Sequence, residues 1–100
     1  MAVNQLKIVV SVLKELSEGN NPSAEDYGIE KETFWNILKA AQDEKLVENI
    51  SFRFGRGNRI IGAITDNARI TIRGMEYLND NSALMKTYKG LKEVREWLPF

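Results

Sequence analysis

The sequence predicts an α+β fold: a winged helix-turn-helix with a two-stranded wing and an additional C-terminal helix. Three observations carry this. Two stretches with helical apolar spacing are separated by a short turn-rich segment, an alternating run then doubles back around G-R-G-N, and two further helical stretches follow. At 100 residues with 43% apolar and 28% charged side chains, the chain has the length and composition of one ordinary globular domain, 1-100.

From Asn4 to Glu18, Leu6, Val9, Val10, Leu13 and Leu16 recur at the i, i+3, i+4 spacing that gives a helix one wide apolar face. Gly19, followed by Asn20, Asn21 and Pro22, ends it, because glycine accepts the left-handed cap and proline cannot extend the ladder. Ser23 caps a single helical turn, Ala24 to Tyr27, which Gly28 closes. A second full helix runs from about Lys31 to Lys45 with Phe34, Ile37, Leu38 and Ala41 inward. Its other side carries Glu32, Trp35, Asn36, Lys39, Gln42 and Asp43. Two helices across so short a turn read as helix-turn-helix.

L-V-E-N-I-S-F-R-F alternates, placing Leu46, Ile50, Phe52 and Phe54 on one strand face and Asn49, Ser51 and Arg53 on the other. G-R-G-N is the hairpin tip and R-I-I-G-A-I-T the return. The return strand is apolar on both faces, Ile61 and Ala63 alternating with Ile60 and Ile64, so a cover is expected from this chain or from a partner. Asp66 and Asn67 turn the chain, and Ala68 to Ile70 is briefly extended. Thr71 then caps a helix through Ile72, Met75, Tyr77 and Leu78. Gly74 in the first turn of that helix costs about 1 kcal/mol of propensity, which points to close packing on a neighbouring backbone. Asn79, Asp80 and Asn81 break it, and a last helix carries Leu84, Tyr88, Leu91, Val94 and Leu98 in register before Pro99.

The run A-R-I-T-I-R-G-M-E-Y-L-N-D-N-S, then M-K-T-Y-K-G-L-K-E-V-R-E-W-L, resembles the YjcQ family. These are small winged-helix proteins of Gram-positive bacteria and their phages and prophages. In them a strand ends in Thr-x-x-Gly-x-x-Tyr-Leu and a helix containing Lys and Trp closes the chain. The E-G-N-N-P-S ending of the first helix fits the same pattern, so the resemblance spans nearly the whole length. It implies a winged-helix fold, a phage or prophage origin and, by analogy with the wider superfamily, DNA association. It supplies no catalytic residues.

The chain contains no His and no Cys, which removes imidazole acid/base chemistry, thiolate nucleophiles, zinc-finger spacings and disulfides. Adjacent carboxylates such as Glu25 and Asp26, or Asp43 and Glu44, do not face each other on a helix and make poor acid/base pairs. A non-enzymatic protein with no catalytic residue, metal or cofactor is therefore expected. No apolar run approaches the ~18 residues of a membrane span, and Lys7 and Lys14 interrupt the apolar start, so the expected compartment is the cytoplasm, with no membrane partner.

Fourteen basic residues balance fourteen acidic ones, but unevenly along the chain. Residues 1–52 carry five Lys against nine acids. Residues 53–73 carry Arg53, Arg56, Arg59, Arg69 and Arg73 against Asp66 alone. Guanidinium forks suit phosphate and the edge of guanine, so these arginines are the candidate DNA-binding set, with Arg53, Arg56 and Arg59 on the wing. Asn36 and Lys39 join them from the helix that would enter the major groove, although Glu30, Glu32, Asp43 and Glu44 flank that surface. The competing account is that a solvent-exposed hairpin keeps charges to prevent edge pairing. Trp35 is the candidate partner-binding residue, as part of an interaction module that keeps the scaffold without DNA; a wide core face could equally absorb it. The candidate partners are duplex DNA, a host or phage protein, and, weakly, a second copy of the chain as a homodimer.

Overall fold

The computed structural model describes residues 2–81, and the expected last helix lies outside them. Within that range the fold is α+β. Helices α1 (Ala2–Ser17), α2 (Ala24–Tyr27) and α3 (Lys31–Asp43) precede strands β1 (Val47–Glu48), β2 (Ser51–Phe54), β3 (Ile60–Ile64) and β4 (Arg69–Ile70), and α4 (Ile72–Asp80) follows. A 3-10 turn, Arg56–Asn58, forms the tip between β2 and β3.

The expected helix is found, spanning Ala2–Ser17, and Val10 and Leu13 of the predicted stripe are buried, but the buried set extends beyond that stripe. Ile8, Ser11, Val12, Leu13 and Glu15 are buried, whereas Leu6, Val9 and Leu16 are partly exposed. The reason is tertiary: α1 packs against α3, β4 and α4 together and is covered on more than one side. Gly19, at φ +84°, ends the helix. The Ser23 amide donates to the Asp26 carboxylate at 2.8 Å, opening α2, and Gly28 closes it at φ +67°. The core meets at Tyr27, whose ring stacks on Phe34 at 5.7 Å and whose hydroxyl donates to Ser11 Oγ at 3.0 Å.

Helix α3 stops at Asp43, two residues before the expected end. Lys45 takes a left-handed conformation, φ +65°, and the Leu46 amide bonds back to the Ala41 carbonyl at 3.0 Å. The outgoing strand also differs from the single alternating run expected. Asn49, at φ +69°, breaks it into β1 and β2, so Leu46, Val47 and Ile50 are all buried and the two-residue period is lost. β1 pairs antiparallel with β4, and β2 with β3. The backbone groups of Ile50, freed by this break, are bound by the side chain of Gln42. Its Nε2 donates to the Ile50 carbonyl at 3.0 Å, and its Oε1 accepts from the Ile50 amide at 2.9 Å.

A second irregularity lies in the hairpin itself. Arg53 pairs with Gly62 and Phe54 with Ile60, leaving Ile61 as an extra residue on β3. At the other end of the ribbon, α4 starts where α3 has ended. The Thr71 hydroxyl accepts from the Gly74 amide at 2.9 Å and donates to the Lys45 carbonyl at 2.6 Å. Gly74 is buried as its position in the sequence predicted, because a Cβ there would overlap the Leu46 carbonyl oxygen and lie 2.6 Å from Ile70 Cγ1. Tyr77 and Leu78 turn toward the core, while Ile72 and Met75 stay exposed. Among the described residues, no helix is long and apolar enough to cross a membrane.

Candidate nucleic-acid interface

The five clustered arginines fall into two groups. Arg53, Arg56 and Arg59 surround the tip of the β2–β3 hairpin, whereas Arg69 and Arg73 lie at the β4–α4 junction beyond the far end of β3. All five are exposed, yet their charges are not equally available. Arg59 Nε donates to Glu32 Oε2 at 2.9 Å, an ion pair that links the tip to the first turn of α3 and raises the pKa of the guanidinium further. Arg69 is paired across the β1–β4 ladder with Glu48. Arg73 lines a cleft between α1, the end of α3 and α4 together with Glu44, Glu76 and Asp80, so its surroundings are acidic. Arg53 and Arg56 have no carboxylate partner among the described residues. The stem of Arg53 lies across Gly62, which has no side chain to compete for that space.

Helix α3 turns a self-neutralised face outward. Glu32, Asn36, Lys39 and Asp43 follow one another at four-, three- and four-residue steps and therefore share one side. Lys39 Nζ binds Asp43 Oδ1 at 2.5 Å, and Asn36 Nδ2 donates to the Glu32 carbonyl at 3.0 Å. Glu32 in turn holds Arg59. A continuous positive stripe from the hairpin to α3 is thus absent among the described residues, and alternating pairs of charges stand in its place. Gln42, expected on the outward side, is turned onto Ile50. Trp35 is partly buried and packs at the edge of the core, so the wide core face absorbs much of it.

Two features of this surface were missed by sequence reasoning. The Arg59–Glu32 pair joins residues 27 apart, and no local spacing signals it. The Gln42 clamp had a weak signal in the Asn49–Ile50 step, where a residue tolerant of positive φ interrupts the strand alternation. The exposed apolar surface of the hairpin was anticipated only in part. Ile61 and Ile64, expected on opposite faces of the return strand, are 52% and 54% exposed together because the bulge shifts the alternation. Phe54, expected on the face shared with Leu46, Ile50 and Phe52, is 51% exposed.

Comparison with known proteins places the whole chain in one group. The family model described as "YjcQ protein" matches residues 6–97. A protein of Bacillus subtilis (strain 168), described as "Uncharacterized protein YjcQ", is 27% identical over 97 residues, covering 96% of this chain and 99% of that one. No solved structure matches.

Proposed function

The chain belongs to the YjcQ family, and from that premise we propose that it is a non-enzymatic winged-helix protein that associates with duplex DNA through its wing. The element order supports the winged-helix reading, since three helices lead into an antiparallel hairpin packed against the third. The absence of His and Cys supports the non-enzymatic one. The observation that carries DNA association is the pair Arg53 and Arg56. They are exposed, lack carboxylate partners among the described residues, and project from a hairpin of the size that follows a groove. Their contacts fall on phosphates rather than base edges, because α3 offers few unengaged donors. The expected binding is weak and indifferent to sequence.

Titration of a mixed-sequence duplex by fluorescence anisotropy, from about 50 to 200 mM salt, tests this. Two phosphate contacts predict a slope of log K against log salt of roughly −2. The double variant Arg53→Ala, Arg56→Ala abolishes the slope and leaves the melting temperature almost unchanged, since exposed charges contribute little to folding. Glu32→Gln releases Arg59 and steepens the slope toward roughly −3. Absence of binding at about 50 mM salt overturns the reading. A second reading, a protein-interaction module, is favoured by Ile61 and Ile64, which are exposed on the same hairpin.

A further inference from the structure

Phe54 closes β2 where the hairpin enters its tip, and it is 51% exposed although its cross-strand partner Ile60 is only 5% exposed. Side chains of an antiparallel pair leave the ribbon on the same side. Ile60 therefore runs into the core, and the ring of Phe54 overhangs the edge of that same side. The bulge at Arg53 and Phe54 sets this geometry, by adding Ile61 opposite them and increasing the local twist.

The ring is flanked in sequence by two arginines that have no carboxylate partner among the described residues, Arg53 immediately before it and Arg56 two residues after. Gly55 between them is held by its amide bond to the Arg59 carbonyl at 2.7 Å. Gly57 and Asn58, at φ +70° and +62°, reverse the chain within a few residues, so the tip is narrow and its backbone compact. A half-exposed aromatic ring at the end of a narrow ribbon, with Arg53 on the opposite strand face and Arg56 in the tip, has the composition of a minor-groove wedge. The cations follow the groove's negative potential, and the ring exchanges water for the faces of two base pairs.

We propose that Phe54 inserts between adjacent base pairs from the minor groove, with Arg53 and Arg56 holding the phosphates beside it. This rests on the phosphate-binding reading of the wing and adds a contact mode to it. The preferred substrate is duplex DNA containing pyrimidine–purine steps, which unstack at least cost. Ile61 and Ile64 take no part in the insertion.

The test uses the full chain and a duplex of about 20 base pairs, one strand carrying 2-aminopurine at a TA or TG step, since this base brightens when it is unstacked; a duplex of that length spans about two helical turns. Wild-type protein is expected to raise the fluorescence on binding. Phe54→Ala should lose that rise and bind roughly tenfold more weakly, the order of one base–aromatic stack, while keeping the salt slope that Arg53 and Arg56 set. Phe54→Leu, still an apolar wedge, should retain part of the rise. Wild-type binding without any rise, or an alanine variant indistinguishable from wild type, overturns the wedge and leaves the phosphate reading standing. Failure of the wild type to bind overturns both and transfers the exposed hairpin to a protein partner. The wild-type measurement stands whether or not the variants fold.

Discussion

Gly74 shows how much one position can decide. A glycine in the first turn of a helix is unfavourable by propensity, so its presence there signals a steric demand from outside the helix. The demand is the Leu46 carbonyl, which occupies the space that any Cβ would need and accepts from the Thr71 amide at 3.1 Å. Thr71 and Gly74 thus act as one device: the threonine hydroxyl caps α4 and binds the end of α3, and the missing side chain lets the two helix ends meet. Gly74→Ala should gain about 1 kcal/mol in helix propensity and lose more to overlap with a backbone atom that cannot rotate away. A net loss of at least about 2 kcal/mol is expected, read as a fall in melting temperature of roughly 10 °C for a domain of this size. An unchanged or raised melting temperature would show that the α3–α4 junction yields.

At the scale of elements, the ribbon is two short ladders joined by irregular steps, and the joints are held by side chains. Asn49 turns the strand through positive φ, which leaves the Ile50 amide and carbonyl without ladder partners in a residue that is itself buried. Gln42, reaching from α3, binds both. Gln42→Ala therefore strands a buried donor and a buried acceptor and should cost about 2 to 6 kcal/mol by chemical denaturation, at about 1 to 3 kcal/mol for each group. Lys39→Ala, one turn earlier on the same helix and paired only with exposed Asp43, should cost less than about 1 kcal/mol. Equal effects of the two would mean that water can replace the clamp. The same contrast governs the candidate site. The ion pair of Arg59 with Glu32 belongs to the placement of the hairpin against α3, whereas Arg53 and Arg56 have no carboxylate partner among the described residues.

For the whole molecule, fourteen positive charges balance fourteen negative ones, and neither His nor Cys is present to titrate near neutrality. The pH dependence of stability is therefore concentrated at the extremes, and at the alkaline end Tyr27 leads it, with Tyr77, raised by its partial burial, adding to it. Burial pushes the Tyr27 phenol well above the ordinary range, with the hydrogen bond to Ser11 opposing and the charges of Glu15 and Asp26 adding to the rise. A group whose folded pKa is raised contributes stability that is complete below the unfolded value and is lost above it. Stability should thus hold to about pH 10 and then fall by up to about 1.4 kcal/mol per pH unit for this one proton. Tyr27→Phe should remove most of that alkaline slope, leaving the part that Tyr77 contributes, while lowering stability at neutral pH, because Ser11 Oγ loses its partner in a site with no exposure. Urea denaturation across pH 7 to 11 checks both arms, and a slope undiminished in the variant would assign it elsewhere.

Local signals determined most of the elements in the described range, because each is decided by a few neighbouring residues. Gly19 and Gly28 ended helices, Ser23 and Thr71 opened them, G-R-G-N turned the hairpin, and Gly74 announced a close contact. The arginine cluster was equally legible, since it is a count along the chain, whereas the grouping of Ile61 with Ile64 on the exposed side came from the bulge. Only the tertiary structure decided which residues of α1 are deepest, because that depends on three elements packing around it at once. It also decided that Arg59 and Arg69 are engaged by carboxylates while Arg53 and Arg56 are not. Sequence records how many charges a surface holds, but pairing is set by distances between residues 21 to 27 positions apart, which the fold alone fixes.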